Sequence, residues 1–426
     1  MKKRLSWLAR GVAVAALALA AACGGGEANA GQGPYAKEVA DAIPGIEKVT
    51  GLTFKHPPVL QEKTKDQVHQ YLESEFQKQA GQDVDKQQVA YKLFGLIPDT
   101  MNLRSYMLAL LTEQVAGYYD PTTKVLYVVK GASHDMVTFT IQHELVHALQ
   151  DQYMNLDSIL NIRGDDDRQE AAQAVLEGQA TLVPLELATG GRGNLAEILP
   201  GGWDRLRETI REQRNSMPLM AAAPLFIQES LLFPYLSGAE FMHQFQMRDK
   251  GKQPFGSAMP TSTEQVMHPA AYFGTSRDVP THVTLPAPHG ATDVYQNDLG
   301  EFSTRVFIYQ HVQDQNEAVR AAQGWDGDRY MVLKTPKGDG LVWVTVWDSP
   351  VDAAEFQSAM EDVISMQFGS PTPHTNAKQV RSYAARTRTL TLWGGQVDGR
   401  PAVVYTDVPA GSPTDVMDVG KVRFTQ

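Results

Sequence analysis

"TIQHELVHALQDQY", Thr140–Tyr153, sets two histidines four residues apart, with a glutamate directly after the first. On a helix, residues i and i+4 lie on one face, so His143 and His147 present both imidazoles to one point. In this H-E-x-x-H spacing the two imidazoles can chelate zinc. The carboxylate of Glu144 can then take a proton from water on the metal and pass it to a leaving amine. Leu145, Val146, Ala148 and Leu149 would anchor the helix in a core. A buried helix accepts two histidines and a glutamate only at a cost, which argues that they have a use.

A tetrahedral catalytic zinc needs a third protein ligand and one open position. Gln150 and Tyr153 stand where a longer H-E-x-x-H-x-x-G-x-x-H pattern would carry Gly and His, so a third histidine is excluded. The next helical stretch, "RQEAAQAVLEGQATLV", offers Glu170 and Glu177, seven residues apart and therefore on one face. Glu177 is the favoured ligand, because it sits mid-helix among Ala174, Val175, Ala180 and Leu182, where an unpaired carboxylate is costly. Gly178 beside it is a poor helix former, which points to close packing against the first helix. Glu170, near the helix start, reads as a solvated charge or as a partner to a ligating histidine.

"HELVHALQDQ" followed by "LEGQAT" resembles the gluzincin group of zinc metallopeptidases, and within it a set of exported bacterial lipoproteins of unassigned role. The similarity runs roughly from Gly117 to Tyr272. It implies a zincin-like catalytic domain in which His143, His147 and Glu177 bind Zn2+ and Glu144 is the general base. The sequence departs from the thermolysin-like branch. Thr181 replaces an expected Asp, and 29 residues separate His147 from Glu177. The substrate preference of that branch therefore does not carry over. The resemblance also implies a substrate-binding edge strand before the metal helix, a place taken by "KVLYVVKG", Lys124–Gly131. An ordinary structural strand is the alternative there. A downstream Tyr or His should stabilise the oxyanion; "STEQVMHPAAYF" offers His268, taken as the catalytic candidate, and Tyr272. His243 and Glu240 are further candidates.

Outward from this centre, the chain has 426 residues and a net charge of -11, and its only basic run lies in the first ten residues. That balance argues against a nucleic-acid partner. Lys2, Lys3, Arg4 and Arg10 precede "GVAVAALALAAA", too short to span a bilayer, which ends at Cys23, the only cysteine. Residues 1–22 read as a signal peptide. The pattern resembles a lipoprotein signal with Cys23 as the lipidated residue; a plain secretory peptide is the alternative. Residues 23–34, rich in Gly, read as a flexible tether. The expectation is an exported protein, anchored by lipid on the periplasmic or extracellular face of the cell envelope, with no intramolecular disulfide and no transmembrane helix.

The fold class expected is α+β. Residues 35–290 form a largely helical zincin-like domain with a small antiparallel edge sheet. Helices are expected near 35–49, 64–79, 83–116 with a break at Pro98, 135–153, 166–188, 201–215 and 224–247. "LTFKHPPVLQ" reads as a strand broken or edged by Pro57 and Pro58. Residues 298–426 read as a separate small α+β domain, with strands at "YMVLK", "LVWVTVW", "TLTLW" and "AVVYTD" and a helix over 351–367. In "GWDGDRY", Asp326 and Asp328 lack a full oxygen-ligand loop and read as structural. The function expected is a zinc metallohydrolase cleaving peptide bonds in a peptide or protein substrate. The alternatives are a weakly active or inactive zincin-fold binding or assembly lipoprotein, and a hydrolase of non-peptide amides.

Overall fold

The computed structural model describes residues 35–79, 83–131, 134–159, 162–190, 205, 208, 212 and 217–426. Cys23, the expected signal and tether, and nearly all of the helix expected over 201–215 lie outside them. The chain is α+β. Two helices at its centre decide the rest: α5, His134–Tyr153, and α7, Asp166–Ala188. Helix α7 starts where the sequence changes from turn residues to an alanine-rich run. Asp165 caps it by accepting from the Arg168 N–H, and Asp166 and Asp167 lie in its first turn, at the positive end of the helix dipole. From Ala171 to Leu185 all but one residue is buried, on every side of the helix. Such a helix must be wrapped by others.

The wrapping elements come from the whole chain. On one side lie α1 (Ala36–Thr50) and a three-stranded sheet of β1 (Val59–Lys63), β2 (Gly117–Asp120) and β3 (Val125–Val129), which packs on α5. On the other lies α9 (Leu225–Arg248), the most extensive neighbour of α7. Helices α2 (Lys65–Gln79), α3 (Asp83–Leu93), α4 (Leu103–Gln114), α6 (Leu156–Ile159) and α8 (Pro218–Ala222) complete this half. The break expected at Pro98 separates α3 from α4, and β1 begins directly after Pro57 and Pro58. The small sheet is mixed, not antiparallel as expected. Its order is β1-β3-β2, with β1 parallel and β2 antiparallel to β3.

Residues 254–290 hold only short helices, among them α10 (Thr263–Met267) and α11 (Pro269–Phe273), and the strand β4 (His282–Thr284). Beyond them a seven-stranded antiparallel sheet is built from β5 (Thr292–Asn297), β6 (Trp325–Thr335), β7 (Gly338–Trp347), β8 (Pro373–Thr375), β9 (Arg381–Ala384), β10 (Arg388–Val397) and β11 (Arg400–Pro409), in the order β5-β6-β7-β11-β10-β9-β8. Helices α12 (Gly300–Val312), α13 (Gln315–Ala322) and α14 (Pro350–Phe368) cover one face; the last strand, β12 (Arg423–Thr425), pairs with β4. The boundary expected at residue 298 is therefore crossed. β5 belongs to the large sheet, although its polar, half-exposed sequence hides that membership.

One apolar core runs through both halves. Phe94, just past α3, meets the rings of Phe307, Tyr330 and Trp343 edge-on at 5.7, 5.3 and 5.2 Å. The start of α12 abuts the start of α7. Gly300 lies at φ +76°, and a Cβ there would collide with the Asp167 carboxylate. Asp328 closes the same junction by accepting from the backbone N–H of Leu299 and Gly300 and from the indoles of Trp325 and Trp343. Its carboxylate is fully used, in line with a structural reading of "GWDGDRY". No helix among the described residues is long and apolar enough to cross a membrane.

Candidate metal centre

Helices α5 and α7 bring His143, His147 and Glu177 together. His143 Nε2 lies 3.1 Å from Glu177 Oε2 and 3.1 Å from His147 Nε2; His147 Nε2 lies 3.4 Å from Glu177 Oε2. The three atoms form a nearly equilateral triangle. A zinc ion with bonds of about 2.0–2.2 Å in tetrahedral geometry holds its ligand atoms roughly 3.3–3.6 Å apart. The triangle is within a few tenths of an ångström of that, and two imidazoles with one carboxylate form a donor set suited to zinc. The residues present fit the ion.

All three side chains are buried, with residue exposures of 2%, 7% and 2%. Burial alone would raise the Glu177 pKa. The charge of His147 and hydrogen bonds from both imidazoles overcome it and hold the carboxyl well below its usual range. Burial lowers the pKa of His143. Burial also acts to lower that of His147, but there Glu177 outweighs it and lifts the value to about 9. A Glu177 carboxylate so readily ionised is prepared to meet a cation.

Glu144 is completely buried, and neither of its oxygens makes a regular hydrogen bond, the Tyr119 backbone N–H being the one donor that acts on the carboxylate. Burial pushes its pKa up to about 8, against the pull of His147. An orphaned carboxylate at the centre of a protein is expensive to keep. Gly117 of β2 lies beside it. A Cβ on Gly117 would come within 3.8 Å of Glu144 Cγ and would collide with Thr140 and the Tyr127 carbonyl.

The strand order corrects one expectation. β3, within "KVLYVVKG", is bonded on both sides and cannot add a substrate strand; β2 is the edge strand beside α5. Gly178 also has a different partner from the one expected. It meets α9, where a Cβ would lie 2.1 Å from the carbonyl carbon of Gly238, and not α5.

The structure does not bring the other candidates to the triad. Glu170 lies seven residues, about 10 Å, back along α7, and hydrogen-bonds Ser303. His268 Nε2 lies 2.7 Å from Glu301 Oε1. That pair belongs to the cluster around Asp167, because Thr263 joins Asp167 to Phe302, next to Glu301. Asp167 precedes Glu177 by ten residues, about 15 Å of helix. Tyr272 spends its hydroxyl on the Ala258 carbonyl. His243 and Glu240 lie on α9 and join no metal-sized group with the triad.

Sequence reasoning missed the support behind the ligands. His147 Nδ1 donates to Gln150 Oε1 at 2.9 Å, which makes Nε2, the nitrogen facing the centre, the one that gives up its proton to become a ligand. Gln150 Nε2 donates to the Leu176 carbonyl and to Gln179 Oε1, both at 3.0 Å. Gln179 Nε2 donates to Gln253, and Gln253 to the Thr50 carbonyl at the end of α1. This glutamine chain ties both ligand helices together. The spacing of His147 and Gln150, i and i+3, was the available signal. The His143 ring stacks near Phe139 and Tyr235, with centroids 6.4 and 6.1 Å away.

One family model matches the chain, a domain of unknown function (DUF8575), over residues 287–404. The matched stretch spans β5 to the first half of β11 and includes neither α5 nor α7. No curated protein and no solved structure matches.

Proposed function

We propose that the protein is a zinc-dependent hydrolase of peptide bonds, with a gluzincin-like site on α5 and α7. The observation that carries this reading is the orphaned Glu144 carboxylate beside a metal-sized triangle of His143, His147 and Glu177. A binding protein that only needed the metal would have no reason to bury an unpartnered carboxylate next to it.

His143 Nε2, His147 Nε2 and Glu177 Oε2 would hold the ion. A zinc ion there acidifies a water and polarises a substrate carbonyl. Glu144 takes the proton from the attacking water at its carboxylate and delivers it to the departing amine nitrogen. Burial raises the Glu144 pKa above that of an ordinary carboxylate, which strengthens it as a base, and a cation held by the triad would draw it back toward its ionised form. Gln150, by accepting from Nδ1, keeps Nε2 of His147 turned to the centre as the ligand atom, and Glu177 supplies negative charge that would steady the cation. The expected lipid anchor at Cys23 would place the site on the outer side of a membrane; acylation of Cys23 in the native host tests that placement. Hydrolysis is tested with Glu144→Gln, which should keep zinc and lose cleavage of a mixed peptide library. Full cleavage by that variant would overturn the mechanism.

A further inference from the structure

Glu264, Asp278 and Asp348 form a second convergence of ligand atoms, separate from the zinc triad. Each contributes one carboxylate oxygen, and the three lie within 4.8 Å of one another. They come from three segments: the first turn of α10, the loop after α11, and the corner between β7 and α14. Both loops are fixed by backbone bonds. The Asp278 N–H donates to the Ala271 carbonyl at 2.8 Å, and its own carbonyl accepts from the Gln265 amide. The Asp348 N–H donates to the Gly324 carbonyl at 2.9 Å. The fixed loops thus bring three carboxyl groups together, and carboxyl groups so placed disfavour one another's ionisation unless something positive joins them.

Glu264 makes this more than an acidic patch. It is 6% exposed, and among the described residues its carboxylate has no hydrogen bond and no ion pair. It points its oxygen into the cluster, where its neighbours are Asp278 and Asp348. Glu301 nearby leaves Oε2 buried without a partner as well. The guanidinium that acts on Asp348, Arg400, is engaged by Asp326 and Thr281. With no donor beside it, the Glu264 carboxyl is pushed up to about 10 by burial and by Glu301, Asp278 and Asp348, so it ionises near neutral pH only if a cation joins it.

We propose that Glu264, Asp278 and Asp348 form a second metal site, for a hard divalent cation of the calcium class. An all-oxygen donor set selects such cations over zinc. Calcium takes oxygen ligands at about 2.3–2.6 Å in flexible geometry, so one ion spans oxygens up to about 5 Å apart; magnesium, at about 2.0–2.1 Å, requires a tighter set. Asp348 is exposed, which leaves room for water to complete the coordination. The site would tie the segment between α9 and β4 to the corner of the large sheet. Thr263, one residue before Glu264, bonds Asp167 at the start of α7, so the cation's hold adjoins the contact that seats the Glu177 helix.

The test uses the full chain stripped of metal and reloaded with zinc. Calcium binding is followed by calorimetry, and the melting temperature is recorded with about 5 mM calcium or magnesium. The expected result is one calcium per chain and a rise in melting temperature with calcium that exceeds the rise with magnesium. Asp348→Asn, at an exposed position, should fold normally and weaken calcium binding about tenfold or more, because ligand charge sets calcium affinity. Without calcium, Glu264→Gln should melt close to the wild-type temperature, since burial and the neighbouring carboxylates already keep the Glu264 carboxyl protonated; with calcium it should show no further rise. His143→Ala should leave the calcium effect intact. No calcium binding by wild type, or binding unchanged in Asp348→Asn and Glu264→Gln, would overturn the proposal.

Discussion

Gly178→Ala adds one methyl group next to the metal ligand Glu177, and the structure sets its consequence. The new Cβ would stand 2.1 Å from the Gly238 carbonyl carbon, 2.3 Å from its oxygen and 2.7 Å from the Ala239 nitrogen. Non-bonded carbons rest about 3.5–4.0 Å apart, so α7 and α9 must separate by more than about 1 Å. The obstacle is backbone, which cannot turn aside as a side chain can. Overpacking of this kind costs about 1–3 kcal/mol, with this site at or above the upper end. Alanine's better helix propensity returns about 1 kcal/mol. The net expectation is a loss of about 2 kcal/mol. A displacement of that size also exceeds the roughly 0.2 Å tolerance of a metal bond, so zinc affinity should fall together with stability. The assay is thermal unfolding of Gly178→Ala with and without zinc, beside zinc titration by calorimetry. A variant that melts higher than wild type and binds zinc equally well would refute the close crossing of α7 and α9 and the placement of Glu177 that follows from it.

Gln150→Leu removes the acceptor for His147 Nδ1, and zinc affinity measured by competition with a chelator should fall about 10–100-fold while the fold persists. Asp166→Asn addresses pH. Burial leads the causes that raise the Asp166 pKa from 3.8 to about 6. A carboxyl whose folded pKa is raised contributes stability present below about pH 4 and lost as pH rises through about 6. The variant should flatten that decline in a melting-temperature profile and be the more stable protein at pH 7; an unchanged profile would contradict it. Phe94→Ala should cost about 3–5 kcal/mol and lower a single unfolding transition shared by both halves, because Phe94 joins α3 to the Phe307, Tyr330 and Trp343 rings. A separate, unshifted transition for the C-terminal sheet would show that the core is not continuous.

The parts of this protein that could be read locally were read. The i, i+4 histidines and the aspartates ahead of an alanine-rich run specify their helices through side-chain periodicity and capping, which neighbours do not change. The choice of Glu177 over Glu170 followed from its mid-helix place among apolar residues; Glu170 is not the solvated charge expected, since burial raises its pKa well above the usual range, and what separates the two is that only Glu177 meets the histidines. What stayed hidden depends on distant partners. "KVLYVVKG" has the composition of any strand, and its central place in the sheet is set by β1, more than sixty residues earlier. Gly178 announced a close approach, but nothing nearby in the chain names Gly238 as its partner. His268 before a proline looked available for catalysis. Its partner Glu301 lies 33 residues on, and only the packing of α12 against α10 brings them together. A glutamine on a helix is usually a solvated side chain, so the role of Gln150 becomes visible only when α7 presents the Leu176 carbonyl and Gln179 to it.

The central claim is tested most directly by counting zinc per chain in metal-reloaded protein, in wild type and in the Glu177→Ala, Glu170→Ala and Glu144→Gln variants, with peptide cleavage followed in the same samples. The account predicts one zinc in wild type, loss of the ion with Glu177→Ala, retention with Glu170→Ala, and retention without cleavage in Glu144→Gln. Wild type that takes up no zinc, or Glu177→Ala that binds it as tightly as wild type, would contradict it.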